Sequence, residues 1–497
     1  MKRSSVQILI MGFVLALQTP LSAREVSFSV LFTADMRGRI SPAQAGYRSG
    51  GIPAYAALVQ RERAEQGEVL LLDCGNWYAG SYDNRFAKPR QLSESMMAMG
   101  YDAWIPGWRD WSHGFGELTS YAEVPAIAAN LVQGVRASEP PFRVKPYIVR
   151  EIQGVNVGVI GLAASTAPTC YPVGELDELA FIDRVDALGE AMNALRSEKV
   201  DVTILALASG REQRGLSTYQ VRNLVKIFPE LDVILSAGHG RTLSMGQSIY
   251  ASMPSASESL GKVKLVYDTI SKSIVEKEVS ILRVNPQEDG ETTTAQTVLK
   301  RPFEALRKEQ DRVVGFLPDG IVGSGKESGV SPAGIFLANA VRECLSADVV
   351  FFPWPVGADL PKGKITVRDV VFAFPDNEYW GTLLLTPPEL RTVLKENEQY
   401  AGGDHALGMV GMQWFGDSST GRLERVDGSL MQSRKRYKVA FPQIVLSSGE
   451  GRYPVIRALA ESPVTRRELT AVDNYDAVLY ALKKTKAAPN PDKELNP

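Results

Sequence analysis

Short apolar, β-branched runs recur through the first half of the chain: Val26 to Phe32, Val69 to Leu72, Ala126 to Ala129, Val155 to Leu162, Val202 to Leu207 and Val233 to Leu235. Gly-rich turns and helix-like stretches separate them. A strand that alternates apolar with polar residues buries one face, whereas an uninterrupted apolar run buries both. Such strands alternating with helical patterns predict an α/β domain whose sheets are covered on each side. In that architecture the loops that follow the strand C-termini carry the chemistry.

The pattern changes after residue 284. Asn285 to Ala295 is polar and acidic, and Val298 to Val313 spaces its charges at helical intervals, so a linker and a connecting helix are expected. A second α/β region is expected from Gly315 to Lys483, with a helix over Gly334 to Cys344 and strands around Val349 and from Tyr437 to Val445. The tail from Lys484 is polar and Pro-rich, and the sequence predicts disorder there. At the other end, Lys2 and Arg3 precede an apolar stretch from Val6 to Leu17 and a small-residue exit at Ser22 and Ala23, the pattern of a secretory leader. The expected division is thus a leader over 1–23, a first domain over 24–290, a linker with its helix over 291–314, a second domain over 315–483 and a tail over 484–497.

Composition narrows the partners. Of 497 residues 44% are hydrophobic and 23% charged, and loss of Lys2 and Arg3 with the leader takes the formal charge from −2 to −4. A near-neutral chain of this kind argues against nucleic acid as a partner, and no stretch of about twenty apolar residues offers membrane insertion. An exported protein, periplasmic or secreted, is expected. Cys74, Cys170 and Cys344 are too few and scattered for a disulfide framework, and Cys74 and Cys344 read as small core residues.

The motifs gain meaning from their order. LFTADMRG over Leu31 to Gly38 places Asp35 at the end of a strand. Gly50 and Gly51 open a helix, and after them come LLLDCGN at Leu70 to Asn76, MGYDAWIPGWRD at Met99 to Asp110, AAN at Ala128 to Asn130 and GHGR at Gly238 to Arg241. The second region carries GIFLANAVRECLSADVVF from Gly334, DLPKGKIT from Asp359, FPDN from Phe374 and YKVAFPQIVLSSGEG from Tyr437. In that order and spacing the chain resembles the 5′-nucleotidase and UDP-sugar hydrolase family over nearly its whole length. The resemblance implies an N-terminal metallophosphatase-like β-sandwich flanked by helices, joined by a linker helix to an α+β C-terminal substrate-binding domain.

The same resemblance implies a two-metal site, because a metal pair neutralises phosphate and generates a hydroxide nucleophile. Matched position by position, the opening Asp is Asp35, but the His two residues on is Arg37. The bridging Asp falls on Asn76. The Asn-His pair becomes Trp108 and Arg109, followed by Asp110, and a further His falls at Ala208. His239 survives in the closing turn, while its partner is Arg241. In the second domain a substrate-gripping Arg falls at Gly357 and a stacking Phe at Ile444, and the Gly-rich motif beyond has become Ser448 to Arg452. Only His113 and His239 of the three His lie in the first domain.

These departures lead to the expectation of a non-catalytic pseudo-phosphatase, without a cofactor, that binds a small anion or an envelope protein partner. The alternative is an active hydrolase of phosphate esters with divalent metals held in a rebuilt site. The candidate binding residues are Asp35, Arg37, Arg109, Asp110, His239 and Arg241. Three guanidiniums replacing metal-facing residues should converge on one cleft, where they line an anion pocket or are consumed in salt bridges to Asp35 and Asp110. Trp77, Trp104, Trp108 and Trp111 ring the same loops, either to contact a ligand or to fill the vacated volume.

Overall fold

The computed structural model describes residues 25–40, 51–113, 123–133, 144–164, 179–208, 218–238, 240–254, 259–284, 293–323, 331–353, 358–374, 378–401, 406–416, 421–446 and 452–485. The expected leader, most of the linker and the end of the tail lie outside them, as do His239, Gly357 and Ser448 to Gly451.

The first region is two sheets packed face to face. One runs in the spatial order Ser273–Arg283, Ser259–Asp268, Glu25–Thr33, Val69–Asp73, Ala103–Trp104, Ala126–Ile127, Val144–Lys145. The other runs Thr242–Met245, Ser248–Pro254, Val233–Gly238, Val202–Leu207, Val155–Leu162, Tyr147–Ile152. The period-2 geometry of a strand explains the continuous apolar runs. Val26, Phe28, Val30 and Phe32 point between the sheets, where they meet Val157, Val159, Ile204 and Leu235. The intervening residues face helices. Leu31 and Leu71 pack under Gly51–Gln66 and Pro89–Met99, and Leu205 and Ile234 pack under Arg184–Glu198 and Thr218–Ile227. Each such side chain, fully buried, contributes about 1.5–3 kcal/mol.

The strands Val155–Leu162 and Val202–Leu207 have the bounds the sequence predicts. The connecting helix is Thr294–Gln310, capped by Thr293, and Val313 already begins a strand instead of closing the helix. The second region holds a five-stranded sheet ordered Leu407–Val410, Val349–Pro353, Tyr437–Pro442, Tyr379–Leu385, Glu468–Asp473. The predicted strand from Tyr437 stops at Pro442, and Gln443–Leu446 is helical, so Ile444 sits on a helix rather than on a strand. A single apolar core joins the regions: Leu92 and Met96 of the first, Leu299 and Leu306 of the connecting helix, and Leu337, Tyr475 and Leu482 of the second belong to it. Among the described residues no helix is long and apolar enough to cross a membrane.

Candidate anion site in the first domain

The strands Glu25–Thr33 and Val69–Asp73 run parallel, and the loops leaving their C-terminal ends continue to bond to each other. Cys74 N–H donates to Thr33 O at 2.7 Å, Asp35 N–H to Gly75 O at 2.9 Å, and Arg37 N–H to Asn76 O at 2.7 Å. This zipper forces Asp35, Arg37 and Asn76 into left-handed backbone, with φ of 57°, 56° and 61°. Asp and Asn tolerate that region and Arg does so at a cost, so strain gathers where the loops meet.

Asn76 is the hub. Its Nδ2 donates to Asp35 Oδ1 at 2.6 Å, and its Oδ1 accepts the backbone N–H of Arg109 at 2.9 Å. The second oxygen of Asp35 faces Arg37 Nη2 at 3.6 Å. Asp35 and Asn76 are buried, and the Arg37 side chain keeps 13% of its surface. The loop of Arg109 comes this close because residue 107 is Gly: a Cβ there would lie 2.4 Å from both the N and the Oδ1 of Asn76.

Asp110 does not pair with an arginine as expected. Its carboxylate accepts three backbone N–H groups, from Asn76 at 2.9 Å, Gly107 at 2.8 Å and Tyr78 at 2.8 Å, and so locks two loops together. Burial pushes its pKa up to about 7, against the opposing pull of those three donors. Asp73 is held well above the usual carboxylate range, chiefly by burial, and orders the loop behind it by accepting Gly75 N–H at 2.8 Å and the Thr33 hydroxyl at 2.7 Å.

Arg109 is 2% exposed, its guanidinium 4.4 Å from the Trp108 ring centroid and its chain laid across Gly80. Ala208, where the resemblance puts a His, packs against Gly75. All four tryptophans of these loops are buried, which fits volume filling. Trp108 and Trp111 form an apolar cluster with Ala128 and Leu131, and Tyr379 and Ile444 of the second region pack against it. The structure thus brings Asp35, Arg37, Arg109 and Asp110 together. Arg241 is exposed, bonded through its backbone to Ser252, and no ion pair or hydrogen bond joins its side chain to the cluster among the described residues. The integrating role of Asn76 was not among the expected binding residues, although its place at the bridging position marked it.

Comparison with known proteins follows this geometry. Residues 313–480 match the family "5′-nucleotidase, C-terminal domain". Endonuclease YhcR of Bacillus subtilis is 23% identical over 447 residues, covering 84% of this chain and 36% of that protein. Snake venom 5′-nucleotidase of Gloydius brevicauda is 27% identical over 214 residues, covering 42% and 34%. The chain spans about a third of the length of these relatives. In three dimensions it is similar to a 5′-nucleotidase precursor from Thermus thermophilus, with a TM-score of 0.72, 17% identity, and coverage of 93% of this chain and 97% of that one.

Proposed function

The chain belongs to the 5′-nucleotidase family, and from that premise we propose that it is a non-catalytic member whose first-domain cluster holds a small oxyanion instead of hydrolysing a phosphate ester. One observation carries this reading. The carboxylate of Asp35 is already engaged on both oxygens, by the amide of Asn76 and the guanidinium of Arg37.

The donors present fit a metal pair poorly. A guanidinium and an indole cannot coordinate a cation, yet Arg37 and Trp108 stand at ligand positions. The carboxylate of Asp110 is spent on three backbone donors, and among the described residues no three His, Cys, Asp or Glu side chains gather closely enough to hold a metal ion. The permanent charges of Arg37 and Arg109 supply the positive field that the metals supply in relatives, and they are the groups assigned to the anion. The leader pattern supports export, as does the likeness to a protein described as a precursor.

The test combines elemental analysis, turnover of nucleoside monophosphates and UDP-sugars with added Mn²⁺, Co²⁺ or Zn²⁺, and thermal stability in inorganic phosphate. Turnover at background is expected, along with an upward Tm shift in phosphate that Arg37→Ala abolishes. Two tightly bound metals per chain, or robust turnover that disappears in Asp35→Ala, would establish a rebuilt hydrolase instead. No shift in phosphate would remove the anion from the reading.

A further inference from the structure

The loop that carries Asn76 continues into a short helical turn, Tyr82–Arg85, and ends in contact with the second domain. The Arg85 guanidinium pairs with Asp473 and, at 3.2 Å, with Asp476. It lies 5.3 Å from the Tyr82 ring centroid and 5.6 Å from that of Tyr475, and those two rings meet edge to face at 4.9 Å. Asp473 is positioned on its own side as well: it ends the strand Glu468–Asp473 and accepts Asp476 N–H at 2.9 Å in the first turn of the helix Asn474–Thr485. Its side chain keeps only 2% of its surface, so the ion pair is shielded from solvent. Behind the turn, the buried Asp83 accepts Ile40 N–H at 3.0 Å, which ties the clamp to the loop of Asp35 and Arg37.

A separate contact joins the domains. Tyr379 and Ile444 pack onto Trp108 and Trp111, whose loop leads through Gly107 to Asn76. Relative motion of linked domains is the default expectation unless their interface is large and apolar. Here the shared core is continuous through the connecting helix, and the two added contacts lie on different loops.

We propose that the Arg85 clamp and the Trp108–Ile444 contact lock the two domains in one orientation, with the second domain seated as a fixed cover on the loops of the candidate site. Rotation of one domain on the other has to part Tyr82 from Tyr475, strip Asp473 of its cation and expose Trp111 together. Both contacts spring from the loops that hold Asn76 and Arg109, so the cluster and the domain orientation are set by the same segments.

Spin labels at Glu190→Cys and Lys395→Cys, exposed on helices of the first and second domains, report the orientation in the full chain with Cys170 and Cys344 replaced by Ser. The expected result is a single narrow interlabel distance that is unchanged by inorganic phosphate and is broadened by Arg85→Glu. A broad or two-population distance in the unsubstituted background overturns the lock. A narrow distance that survives Arg85→Glu overturns the role of the clamp. If Arg85→Glu does not fold, Arg85→Gln removes the charge while keeping much of the side chain, and it carries the same two outcomes.

Discussion

Asn76 and Asp35, separated by 41 residues in the chain, meet side chain to side chain at 2.6 Å, with the amide of Asn76 donating to the carboxylate. A carboxylate at position 76 would put two anions in that contact. Asn76→Asp is therefore expected to lower stability by on the order of 3 kcal/mol near neutrality, because neither charge reaches water freely. A shared proton relieves the repulsion, so the loss of Tm relative to wild type should be smaller at pH 5 than at pH 8. Equal losses at both values would mean that the two groups part rather than repel.

Arg37 combines an ion pair with strained backbone, and two substitutions separate these effects. Arg37→Ala removes the cation beside Asp35 and keeps a Cβ at positive φ, for an expected loss of about 2 kcal/mol. Arg37→Gly loses the same charge but tolerates the φ of 56°, so it should be more stable than the Ala variant by roughly 1 kcal/mol. Denaturant unfolding of both proteins gives the difference. A Gly variant no more stable than Ala would place the strain elsewhere.

Asp110 makes stability depend on pH in a defined direction. Its pKa in the folded protein is raised from 3.8 to about 7, so its contribution is fully present below the unfolded value and is lost as pH rises through the folded one. Stability should accordingly fall between about pH 4 and 7, and Asp110→Asn should flatten part of that slope while lowering stability overall, since an amide cannot accept all three backbone donors. Asp73, raised in the same direction, leaves a residual slope in the variant. An unchanged profile in Asp110→Asn would assign the whole slope to Asp73.

Two glycines should respond oppositely to the same change. Gly107→Ala drives a Cβ to within 2.4 Å of the Asn76 backbone and is expected to cost more than about 2 kcal/mol by displacing the hub. Gly189, inside the helix Arg184–Glu198, would give Ala only an ordinary 3.8 Å contact with Phe228, so Gly189→Ala should stabilise by roughly 0.5–1 kcal/mol. Thermal unfolding of the pair checks both signs, and a neutral Gly107→Ala would mean that the 107 loop yields without moving Asn76.

The strands of the sandwich core were legible because both of their faces are buried: Val155–Leu162 and Val202–Leu207 alternate between the sheet interface and the helices, which leaves an unbroken apolar run in the sequence. Ser273–Arg283 was not read as a strand. It lies at a sheet edge with one side in water, its residues are mixed (SIVEKEVSILR), and only pairing with Ser259–Asp268 makes it a strand. The end of the Tyr437 strand at Pro442 was equally hidden, since Gln443 to Leu446 is as apolar as a strand and is made helical by its packing.

In the site, sequence order alone located Asp35, Arg37, Asn76, Arg109 and Asp110 on loops at strand ends, since local periodicity determines where strands stop. Which groups then pair was decided by the fold. Arg37 took Asp35, Asp110 took three backbone N–H groups from two loops, Arg109 lay down on Trp108, and Arg241 stayed exposed. Those outcomes depend on ångström-scale approaches between segments more than thirty residues apart, as between Asn76 and the 107–110 loop, where hydrogen bonds and desolvation act through space and leave no periodic mark in the chain.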